Sequence, residues 1–348
     1  MNLEQQNTNK LSKTVRKNWI DYMKVFGMIL IIWGHFFPPA LSTFIYSFNV
    51  PLFFIISGYL TKREASFSIF WNKCLHNLII PYLLLSTLKA LGFIIKNTLN
   101  GEFIWSIVGI LTGFHSIGDA PGNKNLWFVF TLILIKIGFQ LYQNAKKNSL
   151  ILIAIISIIA TFLYNKYPLD ISWSLINTLP AIPFFVLGNM LSSYHKSFFD
   201  NIHNKLKTTS KLTVLSLSIG LLICTYLLST LNNTAWMYKA QYGNNIILFY
   251  ILGIIGSFSI YLLSTIFDNR PSKICRIVAV GSIIILTFHR ELNHPLQKLI
   301  DTLAIVKSPL LDFTTLLASI IVLISFVPII LFVQRYLPIF IGKRLIKH

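Results

Sequence analysis

The residues of this chain best suited to chemistry are two histidines, His35 and His289. An unperturbed imidazole titrates near neutral pH, so it can take up and return a proton under physiological conditions. His35 closes a long apolar run that begins at Trp19, and ionisable groups held in such surroundings are costly and usually functional. An imidazole polarised by a neighbour can deprotonate a hydroxyl or attack a thioester. Asn49, about one and a half turns into the next apolar run, is placed to approach His35 across the Pro38-Pro39 turn. Asp21 falls on the same helical stripe as His35 but about 21 Å away along the axis, too far to orient the ring. Glu291, two residues beyond His289, is the nearer carboxylate for that task.

A second group of residues suits phosphate. Lys62, Arg63, Lys73 and His76 form one basic cluster, and Arg270, Lys273 and Arg276 form another. Their ammonium and guanidinium groups can clamp the phosphates of a nucleotide-bearing donor. Asp21 and Lys24, spaced i and i+3, either pair with each other or position such a donor at the mouth of the first helix. His294 and His115 lie in polar surroundings and carry less weight, and Ser57-Gly58 reads as a site of close helix packing. Cys74, Cys224 and Cys275 are odd in number and at no ligand spacing, so neither a metal site nor a disulfide is expected. No Gly-rich phosphate loop or nucleophile elbow is present.

These side chains need elements to hold them, and the composition says what kind. The chain has 348 residues, 54% hydrophobic and 12% charged, with a mean hydropathy of +0.66. Many segments approach the roughly 20 apolar residues that a membrane-spanning helix needs. The expected fold is an all-α polytopic bundle of about ten membrane helices. They fall over 19–37, 44–60, 77–95, 126–143, 149–164, 174–192, 212–231, 245–267, 277–292 and 310–333. Basic tails, 1–18 and 334–348, flank this single membrane domain of 19–333. The apolar 103–113 stretch is too short to span and is expected to lie in the interface or re-enter. No small-residue cleavage site follows the first apolar run, so it reads as a retained helix and not a signal peptide.

Ten helices put both termini on one side. On that arrangement Lys and Arg favour the termini and the even connections by about three to one, which sets both ends in the cytoplasm. The same bias accounts for most of the formal charge of +19, so no nucleic-acid partner is implied. His35 and His289 then lie at similar depth in the outer half of the membrane. The expected location is the inner (plasma) membrane, multi-pass, with lipid as its surroundings and no oligomeric state specified.

Several blocks follow one another in a recognisable order. They are Arg16-x-x-Trp19-Ile20-Asp21-x-x-Lys24, then Gly34-His35, then Phe48-Asn49-Val50-Pro51-Leu52-Phe53-Phe54-Ile55-Ile56-Ser57-Gly58-Tyr59-Leu60. Ile80-Pro81-Tyr82-Leu83, Leu126-Trp127-Phe128, Pro183-Phe184-Phe185-Val186-Leu187-Gly188, and Gly281-Ser282 with His289 come after. Together they resemble the membrane-bound acyltransferase 3 family, and within it the branch named for fucose 4-O-acetylase. The first block is specific; the later ones gain from their order.

The resemblance implies an O-acyltransferase of about ten helices that takes acetyl from cytoplasmic acetyl-CoA, a co-substrate. The acceptor it implies is a sugar hydroxyl of a cell-surface or secreted glycan, or of a lipid-linked sugar. The family's helix-1 histidine falls on His35, as general base or transient acyl carrier, and its acidic residue falls on Asp21. Two departures matter. Where the family often has paired arginines before the third helix, this chain has Lys73 and His76, and Lys lacks the bidentate fork. Where the branch often has His in the helix-2 block, this chain has Asn49, which can orient but cannot act as a base. The alternative is a non-enzymatic exporter or flippase of a glycan precursor, and a third class is a structural or scaffold protein that leaves His35 facing lipid or packed without a cavity.

Overall fold

A computed structural model describes residues 16–98, 103–112, 121–142, 146–169, 173–303 and 310–343. His115 and Asp119 lie outside them. The described residues form helices and no strand. In chain order they are α1 (Asn18–Gly34), α2 (Ser42–Leu60), α3 (Phe67–Cys74), α4 (Ile80–Thr98), α5 (Phe103–Thr112) and α6 (Pro121–Leu141). Next come α7 (Lys147–Lys166), α8 (Trp173–Ile176), α9 (Thr178–Ser192), α10 (Lys196–Thr208) and α11 (Lys211–Ser229). The last are α12 (Ile246–Thr265), α13 (Lys273–Val280), α14 (Ser282–Thr302) and α15 (Leu310–Tyr336). Among the described residues, seven helical stretches are long and apolar enough to cross a membrane. The 17-residue α1 and the apolar Asn125–Leu141 part of α6 are shorter.

Burial sorts the helices into centre and rim. In α12 61% of the apolar window is buried inside the protein, whereas in α7 the figure is 17%. The rim helices α7, α11 and α15 therefore turn apolar faces outward, which is what lipid-facing helices do. α2 lies at the centre, with Ile45, Phe48, Leu52 and Phe54 fully buried. It meets α9 through two glycines. A Cβ on Gly58 would collide with the Phe185 carbonyl, and one on Gly188 would collide with the Ile55 carbonyl. Lipid tails are as apolar as leucine, so close backbone approach and polar contacts, not hydrophobic burial, hold such helices together. One polar contact repairs a proline. Pro183 has no N–H for the Leu179 carbonyl, and Ser157 Oγ donates to that carbonyl instead (2.5 Å).

Three elements differ from the sequence expectation, and a fourth, the short segment before α6, gains a defined form. The third apolar helix begins at Phe67, ten residues early, because Ser66 caps it by accepting from the Ile69 N–H; a π-helical turn, Leu75–Ile79, joins α3 to α4. The short 103–113 segment is a helix, α5, tied to α4 by the Tyr82 hydroxyl donating to the Ile110 carbonyl (2.8 Å). The basic stretch after α9, which lies between the expected helices 174–192 and 212–231, forms α10, which buries Phe199 and His203. The ninth expected helix breaks at Gly281 into α13 and α14, and α14 runs on to Thr302 through Pro295.

The start of α1 is held from afar. Lys17, its N-cap residue, offers no side-chain cap. Asp268, in the connection after α12, accepts the Trp19 N–H instead (3.0 Å), and Asn18 donates to the Asp268 carbonyl (2.7 Å). Lys207 of α10 pairs with the same carboxylate (2.6 Å), and His203 donates from Nε2 (3.2 Å) while its Nδ1 meets the Tyr261 hydroxyl (2.9 Å). Burial alone would raise the Asp268 carboxyl. The hydrogen bonds from His203, Lys207 and the Trp19 N–H outweigh it and hold the group well below the usual carboxylate range.

Candidate functional site

The end of α1 is where the chemistry gathers. The last carbonyls of any helix lack partners of their own. Here the backbone N–H groups of His35, Phe36 and Phe37 fold back onto the Ile31, Ile32, Trp33 and Gly34 carbonyls, and the neighbouring helices and the His35 ring add further bonds to three of them. His35, the C-cap residue, engages the Ile31 carbonyl through its own Nδ1 (2.8 Å). Asn293 of α14 donates to the Ile32 carbonyl (3.0 Å), and Tyr46 of α2 donates to the Gly34 carbonyl (2.9 Å). The His35 ring is thereby fixed by its own helix while α2 and α14 are locked against the same turn.

His289 reaches this point from α14. Its ring lies 4.6 Å from that of His35, centroid to centroid, at 76°. Nδ1 of His289 engages the carbonyls of Ile285 (2.9 Å) and Leu286 (3.1 Å). Carbonyls only accept, so in both rings Nδ1 carries the proton and Nε2 keeps its lone pair. Nε2 of His289 is buried without a hydrogen-bond partner, as is Oδ1 of Asn49. Buried polar atoms are normally satisfied, so two orphaned atoms on residues that line one cavity stand out. The turn that carries His289 is itself stapled. The Thr287 carbonyl accepts from Lys89 Nζ and from Asn125 Nδ2, both at 2.9 Å, and Lys89 also pairs with Glu291.

A cavity of about 490 Å³ starts at these rings and runs along α1. His35, His289, Asn49 and Tyr46 line one end, with Phe37, Tyr238 and Arg290 at its mouth. The middle is apolar, walled by Met28, Ile31, Phe53, Phe128 and Leu132. At the other end stand Lys24, about 16 Å of helix rise from His35, and Lys136 of α6. Neither lysine has an ion-pair or hydrogen-bond partner among the described residues.

The sequence-derived candidates divide accordingly. His35, His289, Asn49 and Lys24 line the cavity. Glu291 does not orient a ring; main-chain carbonyls do, and Glu291 turns outward to Lys89. Asp21 does not pair with Lys24. It takes both bonds of a bidentate contact from Arg16 (2.6 and 2.7 Å), which leaves Lys24 to the cavity. Arg63 stacks on Phe139 at 4.7 Å, Lys73 pairs with Glu64 (2.6 Å), and His76 engages the Asn72 carbonyl (2.8 Å). Arg270 and Arg276 are exposed beside the α1 entry, and none of these five reaches the cavity wall. Lys136, Tyr46, Asn293, Asn125 and Arg290 are the residues that sequence reasoning missed. Lys136 alone carried a signal there, as an unexplained cation inside an apolar run. No group of three or more His, Cys, Asp or Glu among the described residues is arranged to hold a metal ion.

A family model described as an acyltransferase domain matches residues 17–335, nearly the whole chain. The chain therefore belongs to the membrane-bound acyltransferase 3 family and is a multi-pass membrane acyltransferase. No curated protein and no solved structure matches it.

Proposed function

We propose that this enzyme moves an acetyl group from cytoplasmic acetyl-CoA to a sugar hydroxyl of a surface or secreted glycan, or of its lipid-linked precursor, across the plasma membrane. The observation that carries the reading is one cavity with imidazoles at one end and unpartnered lysines at the other. An acyl thioester of this kind has anionic phosphates and a reactive carbonyl at opposite ends of a long neutral arm. Two cations, an apolar passage and two imidazoles in line match that order of chemistry. Lys24 and Lys136 hold the phosphates at the cytoplasmic mouth, and the carbonyl lies beside His35. The passage suits an extended arm better than a glycan in transit, so export is the weaker reading.

The transfer balances simply. Nε2 of one imidazole takes the proton of the sugar hydroxyl as its oxygen bonds to the acetyl carbon. The carbon–sulfur bond breaks, and the proton passes to the departing thiolate. The donated Nδ1–H bonds to the Ile31 and Ile285 carbonyls keep the rings in the tautomer this needs. Radiolabelled acetyl-CoA given to one face of proteoliposomes holding the full chain tests the reading, with label on glycan collected from the other face. His35→Ala is expected to cut the rate by about 10²–10⁴, the usual worth of a positioned base. Transfer at the wild-type rate in that variant defeats the assignment.

A further inference from the structure

Among the described residues the lining of the cavity includes Lys24, Lys136 and Arg290 but no carboxylate. The two lysines at one end are accounted for by the donor. Arg290 at the other end is not. It directly follows His289 on α14, is exposed, and has neither ion pair nor hydrogen bond among the described residues. The described acids nearby on its helix are engaged elsewhere: Glu291 by Lys89, and Asp301 by the Gln297 amide (2.8 Å). A guanidinium at the mouth of a carboxylate-free cavity has a free planar fork, the geometry that suits carboxylate or phosphate.

The same mouth carries an aromatic ring held at a cost. Phe37 has φ of +50°, a region that a bulky side chain rarely enters, and it is 52% exposed. Backbone strain of about 1–3 kcal/mol persists only where the surroundings impose it, and it clusters at ligand sites. Its ring lies 6.4 Å from that of Tyr46, tilted by only 30°. Asn233 and Ala240, the other described non-glycine residues with positive φ, sit in the connection that brings Tyr238 to this mouth. In that connection Lys239 lies over the Trp236 ring at 4.2 Å. An exposed apolar face beside a free cation is how a protein holds a sugar ring that bears a negative group.

We infer that this mouth is the acceptor subsite and that the acceptor is an anionic saccharide. Its ring packs on Phe37, its carboxylate or phosphate meets Arg290, and its reacting hydroxyl points at His35. The inference rests on the acyl-transfer reading above and adds the charge of the acceptor to it. The negative group belongs either to a uronic acid or to a sugar phosphate such as a lipid carrier presents, and the test separates these.

The full chain in proteoliposomes is given labelled acetyl-CoA and three sets of soluble probes: methyl hexosides, the matching methyl hexuronides, and hexose 1-phosphates. The expected result is a kcat/KM at least about fivefold higher for one charged set than for the neutral set, the size that an exposed ion pair supports. Which charged set wins identifies the source. Arg290→Gln is expected to erase the preference through KM, Arg290→Lys to keep part of it, and Phe37→Gly, which relieves the backbone, to weaken all three sets. Equal use of neutral and charged probes by the wild-type chain overturns the inference and leaves acyl transfer standing. A charge preference that survives in Arg290→Gln overturns it as well. Label on none of the probes overturns the inference, and the glycan assay above decides the acyl-transfer reading separately.

Discussion

His35 and His289 meet edge to face, 4.6 Å between ring centres, at the point where α1 ends against α14. Both send Nδ1 to main-chain carbonyls of their own helices, so neither serves as the other's orienting partner. Two basic Nε2 atoms in one small space can share one task, and groups that act as a unit do not contribute additively. Replacing either histidine by alanine is expected to cost about 10²–10⁴ in kcat. The double variant is expected to be little worse than the poorer single one. Single-turnover acetyl transfer by the three variants measures this, and fully multiplicative losses would show two independent roles.

Lys89 grips α14 on either side of His289, at the Thr287 carbonyl and at the Glu291 carboxylate, and Asn125 shares the first of these. These contacts fix the turn that presents the ring. Lys89→Met is expected to lower kcat by about tenfold, since small displacements of a reacting group cost that much and more. KM for the donor should stay within about twofold, because Lys24 at the donor end stands about 16 Å of helix rise from His35. Lys89→Arg should recover much of the rate. A fall in KM-dependent terms alone, with kcat preserved, would remove Lys89 from this positioning role.

The entry of α1 depends on a carboxylate that resists protonation. Asp268 accepts from His203, Lys207 and the Trp19 N–H, and its pKa lies below its ordinary value of 3.8. A group whose folded pKa is depressed stabilises the fold above its unfolded pKa, and the benefit fades as pH falls toward the folded value. Asp268→Asn is therefore expected to destabilise the fold at pH 7 by about the 1 kcal/mol typical of a lost helix cap or more, read as a lower melting temperature. The gap to wild type should be unchanged down to about pH 5 and narrow below pH 4. A gap that is constant from pH 7 to pH 3 would mean that the charge contributes nothing.

The helices were legible because apolar runs of spanning length have few other uses in so hydrophobic a chain. The similar depth of His35 and His289 was legible as well, since it needed only helix rise and direction, but depth alone does not bring α14 against the end of α1. Glu291 shows where such reasoning stops. Two residues from His289 in sequence is about 200° around a helix, so the carboxylate leaves on the opposite side. Asp21 and Lys24 show another limit. Spacing allowed the pair, but Arg16 offers a two-pronged contact that one ammonium cannot match. α10 stayed hidden because its lysines dominate the composition, although Phe198, Phe199, Ile202 and Leu206 repeat at helical spacing. Lys136 was visible as an oddity, but nothing in a linear sequence turns it toward Lys24.

Lys24 and Lys136 come from α1 and α6 and face one cavity whose described lining holds no acid. Like charges in a partly buried wall repel, so the arrangement is kept at a cost that an anion would remove. If that anion is the phosphate end of acetyl-CoA, each lysine contributes a charge-assisted hydrogen bond of about 1.5–3 kcal/mol. Lys24→Gln and Lys136→Gln are then each expected to raise KM for acetyl-CoA by about tenfold or more while kcat changes little. Acetyl-pantetheine, which keeps the thioester arm and lacks the phosphates, supplies the control. It should be a poor donor for the wild-type chain, and the two substitutions should leave its poor kcat/KM unchanged. Equal losses with both donors would show that the lysines shape the passage or hold α1 against α6, and the direction of donor entry would have to be sought at the other mouth.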